Sequence, residues 1–306
     1  MKILSCAFVL VVLMLFSGVS KAVPIELGRA GDFTLLSAGI SGWDAKNSVM
    51  RDEGRMILGS QAQIFGNIGA RTSIVADASV NIHGDLVFGT ANVSSANVFG
   101  NIVGLSEPQW NEIFTDLTSA SLAASAMRDN ASAVNYGSIL SSTIFNTSSN
   151  FNVININGDL ELMNGESLTI RGSATDQFVI NVSGNFGLCR HTYVNCDASI
   201  LLDGVLAENV IFNFESKIGN ASINGNNAGS MAGNYISSAG FSWLLGDGMV
   251  LEDVRILASN IPTANVQDVK QITPTVSVYE PKTVALMFIA LLSLRLIRRG
   301  HQNKAR

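Results

Sequence analysis

The octapeptide "NIHGDLVF" at Asn81–Phe88 returns as "NINGDLEL" at Asn155–Leu162 and, more loosely, as "NVSGNFGL" at Asn181–Leu188. A shorter motif, "IFGNI" at Ile64–Ile68, reappears 34 residues later as "VFGNI" at Val98–Ile102. The local period of about 17 residues is close to one coil of a β-helix. A β-sandwich would also give short strands, but it would not be expected to repeat one octapeptide. The sequence therefore predicts an all-β, right-handed-type β-helix (solenoid).

The repeated segments alternate as strands do, and this alternation predicts which side chains form the core. Ile82, Leu86 and Phe88 are expected to point inward, as are Ile156 and Leu160 of the second copy. Their polar neighbours Asn81, His83 and Asp85 should point elsewhere, and the glycines at 84, 158 and 184 fit bends where other residues would be strained. Further strand-then-turn segments extend the predicted rungs over about 60–104 and 150–262.

One segment, residues 106–128, has helical rather than strand spacing. Ser106 and Gln109 form a capping-box signature, and Pro108 is acceptable in a first turn. An apolar stripe follows with a period near 3.6 residues; its members are Trp110, Ile113, Phe114, Leu117, Ser121 and Ala124. We expect one long α-helix packed alongside the β-helix. The alternative, a helix that binds a partner or a membrane surface, lacks the Lys/Arg flank typical of such helices.

The two ends of the chain have the features of export and membrane contact. Residues 1–22 have the order of a secretory signal peptide, with cleavage expected after Ala22. Residues 278–306 comprise a Glu-Pro motif, a short apolar run that predicts a C-terminal hydrophobic helix, and a basic tail with Arg295, Arg298 and Arg299. The run is shorter than the roughly 20 apolar residues of a spanning helix, which suits a transient hold. An ordinary membrane anchor with basic flanks is the alternative. The β-helix domain is assigned to residues 23–277.

Charge excludes one class of partner. The ends hold eight of the 19 Lys+Arg and one of the 24 Asp+Glu, so residues 23–277 carry 11 basic and 23 acidic residues, a net charge near −12. A surface so acidic repels phosphate backbones, and nucleic-acid binding is not expected.

We identify no catalytic, cofactor-binding or metal-binding constellation in the sequence. Asp85 and Asp159 occupy the same slot of a repeated motif, which predicts turn carboxylates that accept backbone N–H bonds. An acidic group at Asp247, Glu252 and Asp253, near Arg255, is explained by a solvated edge or a weak calcium site. His83 has no Ser-His-Asp arrangement around it. The chain is therefore predicted not to be an enzyme.

Cys189 and Cys196 are the cysteines that remain after signal removal. Two nearby cysteines in an oxidising compartment most often pair, and we predict a disulfide that closes a small loop. His191 between them raises a metal site as the alternative, but two thiols and one imidazole fall short of a four-ligand set.

The C-terminal segment and two segments of the β-helix domain resemble known families. The segment Val278, Tyr279, Glu280, Pro281 with the apolar run and basic tail resembles the PEP-CTERM sorting signal, although Tyr279 stands where that family has proline. The resemblance implies recognition and removal by an exosortase. The opening Leu27–Gly39 and the segment Val153–Phe186 resemble the ice-binding-protein-like β-helix group and the related choice-of-anchor A domains, which occur with such tails.

The main functional hypothesis is an exported structural or adhesion protein of the cell surface or extracellular matrix. It would be an inner-membrane precursor with transient membrane association, and its partners would be an exosortase and extracellular polysaccharide or other surface components. Ice binding is the alternative, although the threonines are scattered, as at Thr72, Thr90, Thr143, Thr147, Thr169 and Thr175, and show no repeated T-x-T ladder at coil spacing. A carbohydrate-active β-helix enzyme is a further alternative, which would need converging carboxylates in a cleft.

Overall fold

The computed structural model of the protein describes residues 25–39, 42–44, 49–51, 54–59, 62–76, 78–89, 96–189, 197–215, 220–223 and 229–271. All of them belong to one compact unit, Met1–Ile272; Thr273–Arg306 form a second unit outside the described residues. The predicted signal peptide with Ala22, the sorting motif with Val278, Glu280 and Pro281, and the C-terminal hydrophobic helix with its arginines therefore lie outside the description. No helix in the described part has the length and apolar character needed to cross a membrane.

Twenty-two strands and one long helix make up most of the described chain. The helix is α1 (Glu107–Ala126), and two short 3-10 helices span Gly28–Asp32 and Ala207–Asn209. The strands are β1 (Leu35–Ser37), β2 (Gly42–Asp44), β3 (Val49–Arg51), β4 (Arg55–Leu58), β5 (Gln63–Phe65), β6 (Ile68–Ala70), β7 (Ser73–Val75), β8 (Asn81–Ile82), β9 (Leu86–Phe88), β10 (Asn97–Val98), β11 (Ile102–Gly104), β12 (Val134–Tyr136), β13 (Thr143–Asn146), β14 (Phe151–Ile156), β15 (Leu160–Leu162), β16 (Ser167–Arg171), β17 (Gln177–Val182), β18 (Phe186–Leu188), β19 (Ser199–Asp203), β20 (Val210–Phe214), β21 (Asn220–Ile223) and β22 (Gly233–Gln271). Strands thus begin before both of the ranges expected at 60–104 and 150–262 and continue past residue 262 in β22, whereas β11 ends at Gly104, where the first range was expected to end.

Successive strands turn through three parallel faces, which confirms the solenoid expected from the repeats. The long strand β22 bends around the β-helix, so each segment of it that lies on a face is called a pass. Face A contains β12, β14, β17 and β20, two passes of β22 (residues 234–236 and 256–258), then β1, β6, β9 and β11. Face B contains β15, β18, β21, two passes of β22, β4 and β7. Face C contains β13, β16 and β19, and, farther along, the end of β22, β5, β8 and β10. The antiparallel hairpin of β2 and β3 stands apart from these faces.

The coils do not follow one another in sequence order. Strand β1 lies between β6 and the pass of β22 at residues 256–258, with Leu35 opposite both Ile68 and Ile256. Residues 35–104 therefore build coils in one direction from β1. The chain then runs back through α1 and builds the coils of residues 134–271 toward β1 from the far side. The two ends of the β-helix are consequently formed by β10 and β11 and by β12 and β13.

The interior is filled by the side chains that the alternation predicts. Ile82, Leu86, Ile156 and Leu160 are fully buried, whereas Phe88 is only partly buried because it lies near one end of the β-helix. Large aromatic residues fill the central coils, where Tyr235 stacks on Phe212 with ring centroids 4.8 Å apart. Burial raises the pKa of the Tyr235 phenol well above its ordinary value.

Two of the repeated glycines are required by close contact and not by backbone torsion. A Cβ on Gly84 would lie 2.3 Å from the carbonyl of Gly66 in the neighbouring coil, and a Cβ on Gly184 would lie 2.5 Å from the carbonyl carbon of Gly158. Neither glycine has a positive φ. The expectation that another residue would be strained at these bends is confirmed, and its cause is contact: the backbones of adjacent coils stack at these corners without space for a side chain.

Helix α1 covers face A, as predicted. The capping box of Ser106 and Gln109 is formed at its N-terminus, where the Ser106 N–H donates to Gln109 Oε1 at 2.9 Å. The predicted stripe is buried, except that Phe114 is only partly so. It packs on outward side chains of face A; these include Leu36, Val179, Ile211, Ile236 and Leu257. A 20-residue helix is about 30 Å long and spans about six rungs spaced about 4.8 Å apart.

Where the apolar stripe ends, an asparagine column continues the contact between face A and the helix. Asn135, Asn155, Asn181 and Asn213 stand opposite one another in register. Asn213 Nδ2 donates to Asn181 Oδ1 at 2.9 Å, and Asn155 Nδ2 donates to Asn135 Oδ1 at 2.9 Å. The same amides satisfy the end of the helix: Asn181 Nδ2 donates to the carbonyl of Ala124 at 3.1 Å, and Asn213 Oδ1 accepts from Ser121 Oγ at 2.7 Å. The buried amides thereby fix the position of α1 along the sheet.

Candidate functional site

Because α1 covers about six rungs of face A, the faces of the described β-helix that no helix covers are B and C. The outward residues of face B are mixed in character; they include Arg55, Ile57, Ser73, Val75, Glu161, Ser222 and Leu244. Face C instead carries two ordered surface features, a hydroxyl patch and an aromatic stack. Each is built by strands that stand in register.

The hydroxyl patch lies on strands β13, β16 and β19 at one end of face C. It comprises a serine column of Ser142, Ser167 and Ser199 and a neighbouring column of Ile144, Thr169 and Leu201. Leu168, Ile170 and Ile200 point into the core beneath it. Alternation along each strand therefore leaves a hydroxyl in one column and an apolar or threonine side chain in the next.

Backbone hydrogen bonds hold the serine column in place. Ser142 Oγ accepts the backbone N–H of Ser167 at 3.1 Å, and Ser199 Oγ accepts the backbone N–H of Ser230 at 3.1 Å. An exposed ion pair borders the patch, with Arg171 Nε 2.7 Å from Asp203 Oδ2. Such surface pairs contribute little stability. This pair marks the edge of the patch, because Arg171 and Asp203 lie two residues beyond Thr169 and Leu201 on the same strands.

The aromatic stack lies on the other part of face C. His83 lies between Phe65 and Phe99, with ring centroids at 4.4 and 4.8 Å and ring planes within 3° of parallel. Gln63, Asn81 and Asn97 form an amide column beside it, in which Asn97 Nδ2 donates to Asn81 Oδ1 at 3.0 Å. The stacking explains His83 as a surface packing residue, in keeping with its lack of a triad in the sequence.

The repeated carboxylates act as turn acceptors, as predicted. Asp85 Oδ1 accepts the backbone N–H of Asn101 at 2.8 Å, and Asp159 Oδ1 accepts that of Asn185 at 2.7 Å. Asn67 Oδ1 likewise accepts the N–H of Asp85 at 2.9 Å. Each of these side chains joins its own coil to the next.

The remaining predicted site residues are described only in part. Cys189 is buried and disulfide-bonded. Cys196 and His191 lie outside the described residues, so the pairing of Cys189 with Cys196 stays a prediction. Of the acidic group, Asp253 is exposed, and the side chains of Asp247 and Glu252 are outside the description.

Arg255, the basic neighbour of that acidic group, belongs to the packing of face A. It donates from Nη1 to Asn234 Oδ1 at 3.0 Å. Burial lowers its pKa, against the opposing charges of Glu208 and Asp32. Within the described ranges no three His, Cys, Asp or Glu side chains are grouped to hold a metal ion.

Sequence reasoning missed both features of face C, although the sequence contains their signals. Phe65 and Phe99 belong to the "IFGNI" and "VFGNI" pair, and His83 lies in the copy between them. Ser167 and Ser199 are the first residues of the observed strands β16 ("SLTIR") and β19 ("SILLD"). The sequence shows no threonine ladder, and only the observed register places these serines and aromatic residues side by side.

Comparison with known proteins gives one family match and several similar folds. The model of the ice-binding-like adhesive domain family matches residues 29–236. An ice-binding protein from an Antarctic bacterium of the Flavobacteriaceae is similar with a TM-score of 0.55 at 17% identity, over 82% of this chain and 48% of that one. An ice-binding protein from an Antarctic biological consortium gives 0.48 at 16% identity, over 80% and 90% of the two chains. No curated protein matches.

Proposed function

We propose, for a chain that belongs to the ice-binding-like adhesive domain family, that face C binds ice and serves as the adhesive surface of an exported protein. The observation that carries the proposal is the hydroxyl patch, in which serine and apolar columns repeat from rung to rung. The family and the similar folds support a non-enzymatic role of this kind.

The physical case rests on the regular spacing and rigidity of the patch. Neighbouring strands are about 4.8 Å apart, so the serine column presents hydroxyls, and the neighbouring column Ile144, Thr169 and Leu201, at a fixed repeat along the axis. Hydroxyls can replace water as hydrogen-bond partners, while Ile144 and Leu201 place apolar surface beside them. Since the core side chains below the patch are close-packed, the patch is already rigid, and binding costs little side-chain conformational entropy.

Ice-affinity partitioning of the purified protein tests the proposal. The protein should enter a growing ice phase, and Thr169→Glu or Leu201→Glu should reduce its apparent affinity about tenfold, or by about 1.4 kcal/mol, because a hydrated charge would stand in the patch. The control is Leu122→Glu, an exposed position on α1 away from face C, which should partition as the wild type does. Exclusion of the folded wild type from ice would refute ice binding.

Adhesion to a polysaccharide is the second candidate, and the aromatic stack with its amide column favours it. Aromatic rings offer apolar contact to sugar C–H groups, and the amides offer donors and acceptors to sugar hydroxyls. Phe99→Ala should then weaken retention on an insoluble polysaccharide such as cellulose and leave ice partitioning unchanged. Equal retention of the wild type and the Phe99→Ala variant would argue against this site.

We also propose how the protein reaches the surface. The sequence features of residues 1–22 support export with cleavage after Ala22, and those of Val278, Glu280 and Pro281 support sorting by an exosortase, as for choice-of-anchor A proteins with PEP-CTERM tails. Replacing Glu280 and Pro281 with alanine should leave uncut precursor in the inner membrane, detectable by intact mass. A mature native protein that keeps Arg295, Arg298 and Arg299 would instead be a plain membrane-anchored β-helix.

A further inference from the structure

Both ends of the β-helix expose strands that are paired on one side only. At one end β10 pairs with β8 and β11 pairs with β9; at the other, β12 pairs with β14 and β13 pairs with β16. None of the four has a second partner among the described strands. An open strand edge carries a row of free N–H and C=O groups and is a template for pairing with another chain.

The four edge strands lack the devices that usually prevent such pairing. Their residues, Asn97–Val98, Ile102–Gly104, Val134–Tyr136 and Thr143–Asn146, include no charged side chain and no proline. Natural edge strands are commonly protected by lysine, proline or a covering segment, and solenoids by polar end caps.

Exposed apolar side chains are also concentrated at these ends. Phe99 is 67% exposed and Ile102 60% at one end, and Leu140 is 58% exposed at the other, where Val134 and Ile144 are exposed as well. Five of the eleven exposed large apolar residues in the described chain thus lie within residues 96–105 and 134–146.

The two ends are geometrically matched to each other. Pairing on face A and on face C is parallel throughout, so the edge open at one end has the polarity that the other end needs. Each end presents one strand on face A (β11 or β12) and one on face C (β10 or β13).

A column of hydrogen bonds from backbone N–H groups to side-chain oxygens also stops at the end of the β-helix formed by β10 and β11. Asn67 and Asp85 each accept the backbone N–H of the residue one coil farther along, and Asn101 holds the next place in this column. No described coil follows Asn101, so its side-chain oxygen stands where the next coil's N–H would be bound.

We propose that a second copy of this chain docks on each end, with β11 beside β12 and β10 beside β13, and that copies join head to tail. A contact of this kind uses two different surfaces and does not close, so it produces filaments and not dimers. The occupant is another copy because the same chain supplies both matching edges.

Sedimentation velocity of the purified protein over a concentration series, with electron microscopy, tests the inference. The wild-type weight-average mass should rise beyond that of a dimer, with rods that lengthen along one axis. Ile102→Lys blocks one end and Val134→Lys the other, so each variant alone should stay monomeric. An equimolar mixture of the two should give dimers only, because each still has one open end. Leu122→Lys, on the exposed side of α1, is the control and should assemble as the wild type does.

Circular dichroism melting at a concentration low enough to keep the wild type monomeric separates failed assembly from failed folding, since both variants alter exposed side chains and should melt with the wild type there. Monomeric wild-type protein at every concentration would overturn the proposal. So would association that persists in the two lysine variants, or a mixture that stays monomeric.

Discussion

At the scale of single residues, the corners of the β-helix are set by contacts between coils. The carboxylates and amides at these corners each bind the backbone of the following coil, as Asp159 binds that of Asn185. Glycine is needed beside them because the corner backbones approach too closely for a Cβ. A sequence change at a corner therefore acts on two coils at once.

Gly184→Ala should destabilise the fold by about 1–3 kcal/mol, the usual cost of adding a methyl group to a packed contact. The new Cβ would lie 2.3 Å from Asp159 Oδ1 and 2.5 Å from the Gly158 carbonyl carbon. Gly137→Ala is the matched control, because a Cβ there meets nothing within 4 Å. Urea unfolding measures both; equal midpoints would disprove the corner contact.

Tyr235 gives the protein a sensitivity to alkaline pH. Burial raises its pKa above the ordinary value of 10.0, so the folded chain keeps the phenolic proton where the unfolded chain loses it. This contribution is complete below pH 10 and is lost as the pH rises above it. The free energy of unfolding, measured by urea near neutral pH and above about pH 10, should fall at the higher pH.

Tyr235→Phe is the control for this fall. It removes the hydrogen bond of 3.1 Å from the Tyr235 hydroxyl to the Ala232 carbonyl, a loss of about 1 kcal/mol. It also removes the titrating group, so the variant should lose less stability above pH 10. Identical losses in the two proteins would assign the alkaline effect elsewhere.

At the scale of elements, α1 is the part that sequence reasoning predicts best and face C the part it predicts least. The capping box and the 3.6-residue stripe depend on neighbours a few positions apart, which the sequence displays directly. The hydroxyl patch depends on the register between strands 25 to 32 residues apart, such as Ser142 with Ser167 and Ser167 with Ser199. Coil lengths vary along the chain, so the period alone cannot align them.

The helix should contribute strongly to stability through its buried face. Trp110→Ala removes a fully buried indole that packs between α1 and face A, and it should cost about 3–5 kcal/mol. Leu122→Ala, on the exposed side of the same helix, should change stability by no more than about 0.5 kcal/mol. Thermal unfolding distinguishes the two; a small loss for Trp110→Ala would mean that α1 is only loosely attached.

At the scale of the whole molecule, the order of the coils should make unfolding a single event. The β22 pass at residues 256–258 pairs with β1, which pairs in turn with β6, so the two halves of the β-helix share one continuous core. Chemical denaturation followed by tryptophan fluorescence and by far-UV circular dichroism should give coincident transitions. Two separated transitions would show that residues 35–104 and 134–271 unfold independently.

The same pairing of residues 35–37 with residues 256–258 determines when the β-helix can finish folding. Early coils can form as soon as their own residues are available, yet the neighbour that β1 requires is among the last parts of the β-helix to be synthesised. Pairings so distant in sequence form slowly, because a long loop must close before any contact rewards it. During that interval β1 offers an open parallel edge to any other nascent chain. Completion of the central coil is thus the step at which productive folding and misassembly compete.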